Sequence, residues 1–280
     1  MQNRILRDFI IRCLKEDIGD GDHSSLACIP DNITGRARLL IKDKGVLSGC
    51  RVAEKVFRIV DKDLKFEPFI PDGSEITSGD IVFHVSGKIQ SILKSERLVL
   101  NIMQRMSGIA TSTRLYTDRL KGLKTKILDT RKTTPGMRFL EKEAVRTGGG
   151  LNHRMGLYDM IMLKDNHIDY AGGIENAIRK TRDYLTRTRK NLRVEIEARN
   201  LDDVRKILDI GGVDRILLDN FNLSDTMEAV KLIRGRFETE SSGGITLETV
   251  RAYAECGVDY ISAGVLTHHI KSLDMSLKAF

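Results

Sequence analysis

The chain has 280 residues, 41% of them hydrophobic and 30% charged, a balance that excludes fibrous and disordered classes and leaves room for one large α/β domain plus a smaller one. No apolar run approaches the length needed to cross a bilayer and the first residues lack the zones of a signal peptide, so a cytoplasmic protein is expected. The formal charge of +7 comes with only 5% aromatic residues and with cations set at the ends of apolar runs, a pattern that points to acidic small molecules and away from nucleic acid or a membrane surface.

In chain order, Ile5, Leu6, Phe9, Ile10, Cys13 and Leu14 recur at helical spacing and predict an amphipathic helix ended by Gly19. The acidic stretch from Gly19 to Ser25 lacks the later glycine and glutamate of a calcium loop and is expected to be a polar turn. Strand-like runs at 37–41, 64–69 and 81–85, with a helical stretch around Val52, Ala53, Val56, Phe57 and Val60, predict a small α+β domain with a mostly antiparallel sheet. A long helix follows, with Ser95 as its N-cap, a kink at Gly108 and an end near Leu120; Arg105 lies on it. Cys13, Cys28, Cys50 and Cys256 show neither metal-site nor disulfide spacing.

Beyond Lys121 the pattern changes to alternating strands and helices, with apolar runs near 126–129, 160–163, 193–198, 215–218, 237–240 and 259–262. This is the cadence of a parallel sheet, and it leaves six to eight strands, and either a barrel or a doubly wound sheet, open. The basic cluster Thr186–Lys190 reads as the solvated end of a helix, and Asp202 and Asp203 as acids serving a helix dipole.

In α/β folds the carboxyl ends of parallel strands carry the ligand site. Here those ends present Thr130, Arg131 and Lys132, then Lys164, Glu197, Asp219, Ser242–Gly244 and Ala263–Val265. Cations come first, carboxylates next, and small or hydroxyl residues last. Isolated basic turns are commonly just solvated, but two strand ends with the same register of apolar run to cation favour a shared anion site. Gly243, Gly244 and Gly264 allow backbone N–H groups to approach a phosphate, helped by the N-terminus of a helix predicted near Thr246. Glu197 and Asp219 suit a magnesium ion, directly or through water, or sugar hydroxyls. Glu195 shares the face of Glu197 but lies deeper.

Leu128 to His167, with its DTRKTTPG, EK-AVR-GGG-NHR-GL-D and KDNHI segments, resembles the quinolinate phosphoribosyltransferase family, and the resemblance extends over nearly the whole chain. It implies an α/β fold: an incomplete parallel (β/α) barrel of about seven strands at 108–269, a smaller N-terminal α+β sandwich domain at 1–107, and a C-terminal segment, 270–280, returning to that domain. It also implies transfer of a phosphoribosyl group from phosphoribosyl pyrophosphate to quinolinate, with Mg2+ and loss of CO2, in NAD biosynthesis. By position, Thr130, Arg131, Lys132, His153, Arg154 and Lys164 match the family's pocket, and Glu197 and Asp219 its acidic residues. Ser242, Gly243, Gly244, Ala263, Gly264 and Val265 match its 5′-phosphate segments. Arg105 matches an arginine donated across a homodimer interface. Lys132, Glu197 and Asp219 are the catalytic candidates. Ser241 and the pair His268–His269 depart from the family pattern without replacing an assigned charge. A relative acting on a nicotinate-type acid, and a non-catalytic anion binder like the molybdenum-uptake-associated proteins, are the alternatives.

Overall fold

The computed structural model describes residues 2–280, which divide into two compact units. The first comprises the chain up to Arg114 together with Pro135–Gly149 and His269–Phe280; the second comprises Leu115–Thr134 and Gly150–His268.

The first unit is built on a four-stranded antiparallel sheet in the order Met275–Ala279, Thr34–Ile41, Ile81–Lys88, Lys65–Pro68. Leu39 lies opposite both Phe83 and Leu277, which ties the C-terminal strand into the core. Helix Cys50–Val60 buries Val52, Ala53, Val56 and Phe57, and the Phe57 ring meets Phe83 edge-on at 5.8 Å. Burying each side chain of that size stabilises the fold by roughly 1.5–3 kcal/mol.

The opening helix, Gln2–Ile18, buries Phe9, Ile10 and Leu14, but Ile5 is exposed, so its apolar face is narrower than the periodicity predicts. The acidic turn after it supplies a cap: Asp22 accepts from the Ser25 N–H at the start of helix His23–Cys28.

Two expectations for the long helix fail. It spans Ile89–Arg119, so Ser95 is one and a half turns inside it, fully buried, with its hydroxyl donating to the Ser91 carbonyl instead of capping. The helix also runs unbroken through Gly108. A Cβ there would stand 2.3 Å from the Lys271 carbonyl oxygen, so the glycine admits the C-terminal segment, which Gln104 fastens through Leu273 N–H and the Met275 carbonyl.

By packing, the first unit continues past residue 107 to Arg114 and also takes in Pro135–Gly149. Helix Arg138–Thr147 joins that unit through Phe139, edge-on to Phe9 at 5.6 Å, and through Glu143, which accepts from Arg51 at 2.8 Å.

The second unit holds six parallel strands in the order Lys126–Leu128, Tyr260–Ser262, Glu238–Ser242, Arg215–Asp219, Val194–Ala198, Ile161–Leu163. A parallel bridge from Leu128 to Leu151 puts a single residue in the seventh position. The sheet therefore curls as a barrel that stays open between Leu151 and Ile161, and the seventh strand is one residue long. Helices Leu201–Ile210 and Leu223–Ile233 bury Val204, Ile207, Ala229 and Ile233, and Asn200 and Asn222 cap them by accepting from Asp203 and Asp225 N–H groups. Asp202 and Asp203 do lie in the first turn of their helix, and Thr186–Lys190 is an exposed helix end.

Candidate active site

The carboxyl ends of the six strands surround a cavity of about 880 Å³. Alternation along each strand decides what enters it: Glu197, then Leu217 and Asp219, Glu240 and Ser242, and Ser262.

Lys132 follows the strand Lys126–Leu128. Its carbonyl accepts from the Thr267 hydroxyl at 2.8 Å, and its N–H donates to Thr130 Oγ1 at 3.1 Å. A Cβ on Gly264 would lie 2.8 Å from Lys132 Cδ, so this glycine makes space for the lysine stem.

On the opposite side Gly243 has φ 97°, and a Cβ there would stand 2.1 Å from Asn220 Oδ1. Asn220, itself left-handed at φ 56°, donates through Nδ2 to Asp219 at 2.8 Å. The helix expected near Thr246 begins instead at Val250 and is six residues long; Thr246–Thr249 form a turn closed by Thr246 N–H on Thr249 Oγ1. Its dipole is therefore short and begins later than expected.

Lys164 Nζ lies 2.9 Å from Glu197 Oε1, while Asp165 N–H donates to Glu197 Oε2 at 3.0 Å. Lys164 N–H in turn donates to His167 Nδ1, fixing the start of helix Asp165–Ala171. Burial, then the neighbouring Glu197, raises the Asp219 carboxyl above its ordinary range. Burial, then the charge of Arg131, holds Arg154 below the ordinary guanidinium value; its Nη1 donates to the Met160 carbonyl at 3.3 Å.

Beneath this rim His153, Glu195, Glu240 and Arg215 form a buried cluster. His153 Nε2 faces Glu195 Oε2 at 2.9 Å and Glu240 Oε2 at 3.5 Å, and Arg215 Nη1 donates to Glu240 at 2.7 Å. Burial alone would lower His153, but the two carboxylates outweigh it and lift the imidazole to about 9. Burial, then Glu240, pushes Glu195 up to about 7. Burial acts on Glu240 in the same direction, yet His153 and Arg215 hold it down, at about 2. Arg154 N–H donates to His153 Nδ1 at 2.7 Å and so works against a second proton on the ring: with that nitrogen accepting, the ring proton lies on Nε2, facing Glu195.

Of the sequence candidates, Thr130, Arg131, Lys132, His153, Arg154, Lys164, Glu197, Asp219, Ser242, Gly243, Gly244, Ala263, Gly264 and Val265 all line this cavity. Arg105 does not. It belongs to the first unit, where Nε and Nη2 approach Glu141 Oε1 at 2.8 and 2.7 Å. Sequence reasoning missed Asn220, Glu240, Thr246, Glu248, Ser262 and His268 as lining residues. Counting by twos back from Ser242 would have reached Glu240. Nothing in the pattern singles out His268 for the wall.

A cationic wall, a pair of acids and a glycine turn in one cavity can hold a small polyanion and stabilise positive charge forming beside it. Two domain models match the chain: "Quinolinate phosphoribosyl transferase, N-terminal domain" over residues 22–107 and "Quinolinate phosphoribosyl transferase, C-terminal domain" over 109–278. The chain belongs to the quinolinate phosphoribosyltransferase family. It is 45% identical to quinolinate phosphoribosyltransferase [decarboxylating] 1b of Nicotiana tabacum over 98% of this chain and 82% of the relative. With the probable nicotinate-nucleotide pyrophosphorylase [carboxylating] of Bacillus subtilis it shares 40% identity over 99% and 94%. The crystal structure of NadC from Streptococcus pyogenes superposes with a TM-score of 0.92 at 40% identity, covering 98% of this chain and 96% of that one. The boundary between the two quinolinate phosphoribosyltransferase models falls inside the helix Ile89–Arg119, so the family's division cuts a continuous element.

Proposed function

We propose that the chain is a quinolinate phosphoribosyltransferase, converting quinolinate and phosphoribosyl pyrophosphate to nicotinate mononucleotide, pyrophosphate and CO2 in NAD biosynthesis. The observation that carries this reading is the convergence of Arg131, Arg154, Lys132 and Lys164 with Glu197 and Asp219 in a single cavity. Planar guanidinium forks suit the two adjacent carboxylates of quinolinate better than the point charge of a lysine. The Gly243–Gly244 and Ala263–Val265 turns take the 5′-phosphate.

In the first step the ring nitrogen bonds to the anomeric carbon as the bond to pyrophosphate oxygen breaks. The sugar passes through an oxocarbenium-like state, and the Glu197 and Asp219 carboxylates favour its positive charge. Alkylation makes the pyridinium an electron sink. The bond to the adjacent carboxylate then breaks, CO2 leaves, and the electron pair left on the ring carbon takes a proton. Lys132, held by Thr130 and Thr267, orients the substrate carboxylate or the anomeric centre.

The hard oxygen donors of Asp219 and Glu197 fit Mg2+, which neutralises the departing pyrophosphate when bound. Asp219 and Glu197 would hold the ion, with the Glu197 carboxylate shared with Lys164 and the Asp165 N–H, which engage both its oxygens. No described helix is long and apolar enough to cross a membrane, and the same reading puts the protein in the cytoplasm, as a homodimer to which Arg105 contributes across the interface.

The test is incubation of the purified protein with phosphoribosyl pyrophosphate, Mg2+ and either quinolinate or nicotinate. Nicotinate mononucleotide formed with stoichiometric CO2 from quinolinate alone is the expected result. Product from nicotinate without CO2 would favour the other acid, and no product from either would leave an anion-binding relative.

A further inference from the structure

We propose that Glu195 is a positioning residue for the acid-binding wall: by holding His153 it fixes the peptide from which Arg154 reaches the substrate carboxylate. The proposal rests on the phosphoribosyl-transfer reading for the identity of that substrate, and on geometry for everything else.

Glu195 is wholly buried and does not line the cavity, so it cannot touch a ligand there. A carboxylate in such a place is costly unless it holds something. Glu240 is committed to Arg215, whose Nε and Nη2 also reach Glu238 at 3.1 Å and whose guanidinium stacks 4.1 Å from the Tyr260 ring centre. The close polar neighbour of the Glu195 carboxylate is His153 Nε2, 2.9 Å from Oε2.

The imidazole is therefore a strut. One nitrogen faces the barrel interior, and the other accepts the Arg154 N–H at 2.7 Å. The same stretch is pinned from its other side, because Asp129, also buried, accepts from His153 N–H at 2.8 Å and from Asn152 Nδ2 at 2.5 Å. With both ring nitrogens used inside the protein, His153 serves the cavity by holding its neighbour and not by bonding the substrate.

The ligand atoms of His153, Glu195 and Glu240 lie within 4.8 Å of one another, which is also the spacing of a metal site. The Arg154 N–H decides between the two: with Nδ1 accepting it, the ring carries its proton on Nε2, which leaves that nitrogen no lone pair for a metal.

The experiment measures quinolinate binding by calorimetry and both KM values in Glu195→Met and Glu195→Gln. The methionine removes the acceptor for Nε2–H and should weaken quinolinate about tenfold or more while leaving the KM for phosphoribosyl pyrophosphate unchanged. Glutamine keeps an acceptor oxygen and should restore most of the loss. Unchanged quinolinate binding in Glu195→Met, or a parallel rise in both KM values that glutamine does not rescue, would overturn the proposal. Should the methionine variant not fold, ¹⁵N spectra of the wild-type histidines, with His153→Gln as assignment, decide it: His153 should carry its proton on Nε2 with Nδ1 bare. The reverse tautomer, or stoichiometric bound metal in the purified protein, sinks the strut. Calorimetry and the spectra need no turnover, so an inactive wild type would count against the phosphoribosyl-transfer reading alone.

Discussion

Arg154 carries its charge against two opposing influences, burial and the neighbouring Arg131, and in the proposed complex the charge of a dianion between the guanidiniums would offset both. Replacing Arg154 by Ala should lose a charge-assisted bond of about 1.5–3 kcal/mol and weaken quinolinate roughly ten- to a hundredfold by calorimetry; unchanged affinity would remove it from the acid-binding wall. Arg154→Lys should recover only part, because a point charge cannot fork. Gly243 makes a second residue-scale case. With φ 97° and Asn220 Oδ1 in the way of any Cβ, Gly243→Ala should cost about 1–3 kcal/mol in urea denaturation and raise the KM for phosphoribosyl pyrophosphate. Thr130–Lys132, Lys164, Glu197, Asp219, Ser242–Gly244 and Ala263–Gly264 are legible in the sequence because they lie at the ends of apolar runs, and parallel strands bring such positions to one end; His153 and Arg154 follow no such run and are placed by the family resemblance alone. His268 and Asn220 are not legible in it. They enter the cavity through turn geometry, φ 56° at Asn220 and a four-residue helix at Val265–His268, which no periodicity encodes.

At the scale of elements, the strands of the second unit fall within a residue or two of the apolar runs that predict them, since full burial leaves little else for such runs to be. Helix starts fared worse. Ser95 carries the residue type of a cap but lies inside a helix whose first turn, Ile89–Ile92, has no capping signature, and Thr246 opens a turn and not the helix that follows. A hydroxyl satisfied locally looks the same in sequence in either role. The barrel strands are also joined by one residue that no motif marks. Asp259 accepts from Thr239 N–H at 2.9 Å and Thr239 Oγ1 at 2.8 Å, and from Lys124 Nζ at 3.0 Å, linking three neighbouring strands just before they run parallel. Burial alone would raise its carboxyl, but these donors outweigh it and hold the value below 3.8. A depressed folded value means that the carboxylate contributes stability at pH above 3.8 and loses that contribution as pH falls through the folded value. Asp259→Asn should therefore lower the urea midpoint at pH 7, and the gap to the wild type should close below pH 3.8. A gap that does not narrow as the pH falls through the acid range below 3.8 would assign the effect to packing and not to charge.

For the whole molecule the open question is what Arg105 serves, since no wall of its own chain's cavity includes it. Its guanidinium is anchored on Glu141, which has no solvent exposure, while the arginine side chain keeps 27% of its own. In the proposed homodimer this anchored, partly exposed arginine would serve the neighbouring protomer's cavity, which would be rich in acceptors once both substrates are bound. Symmetry makes the exchange mutual, with each protomer giving one arginine and receiving one. Arg105→Ala and Lys164→Ala homodimers should then each be inactive, one missing the donated group and the other a residue of the receiving cavity. Mixed in equal amounts and allowed to exchange, about half the dimers should be hybrids holding one intact site of two, restoring about a quarter of wild-type activity. Tandem purification on two different tags isolates those hybrids. If they remain inactive, Arg105 acts within its own protomer or outside the site, and the anchoring by Glu141 is structural only.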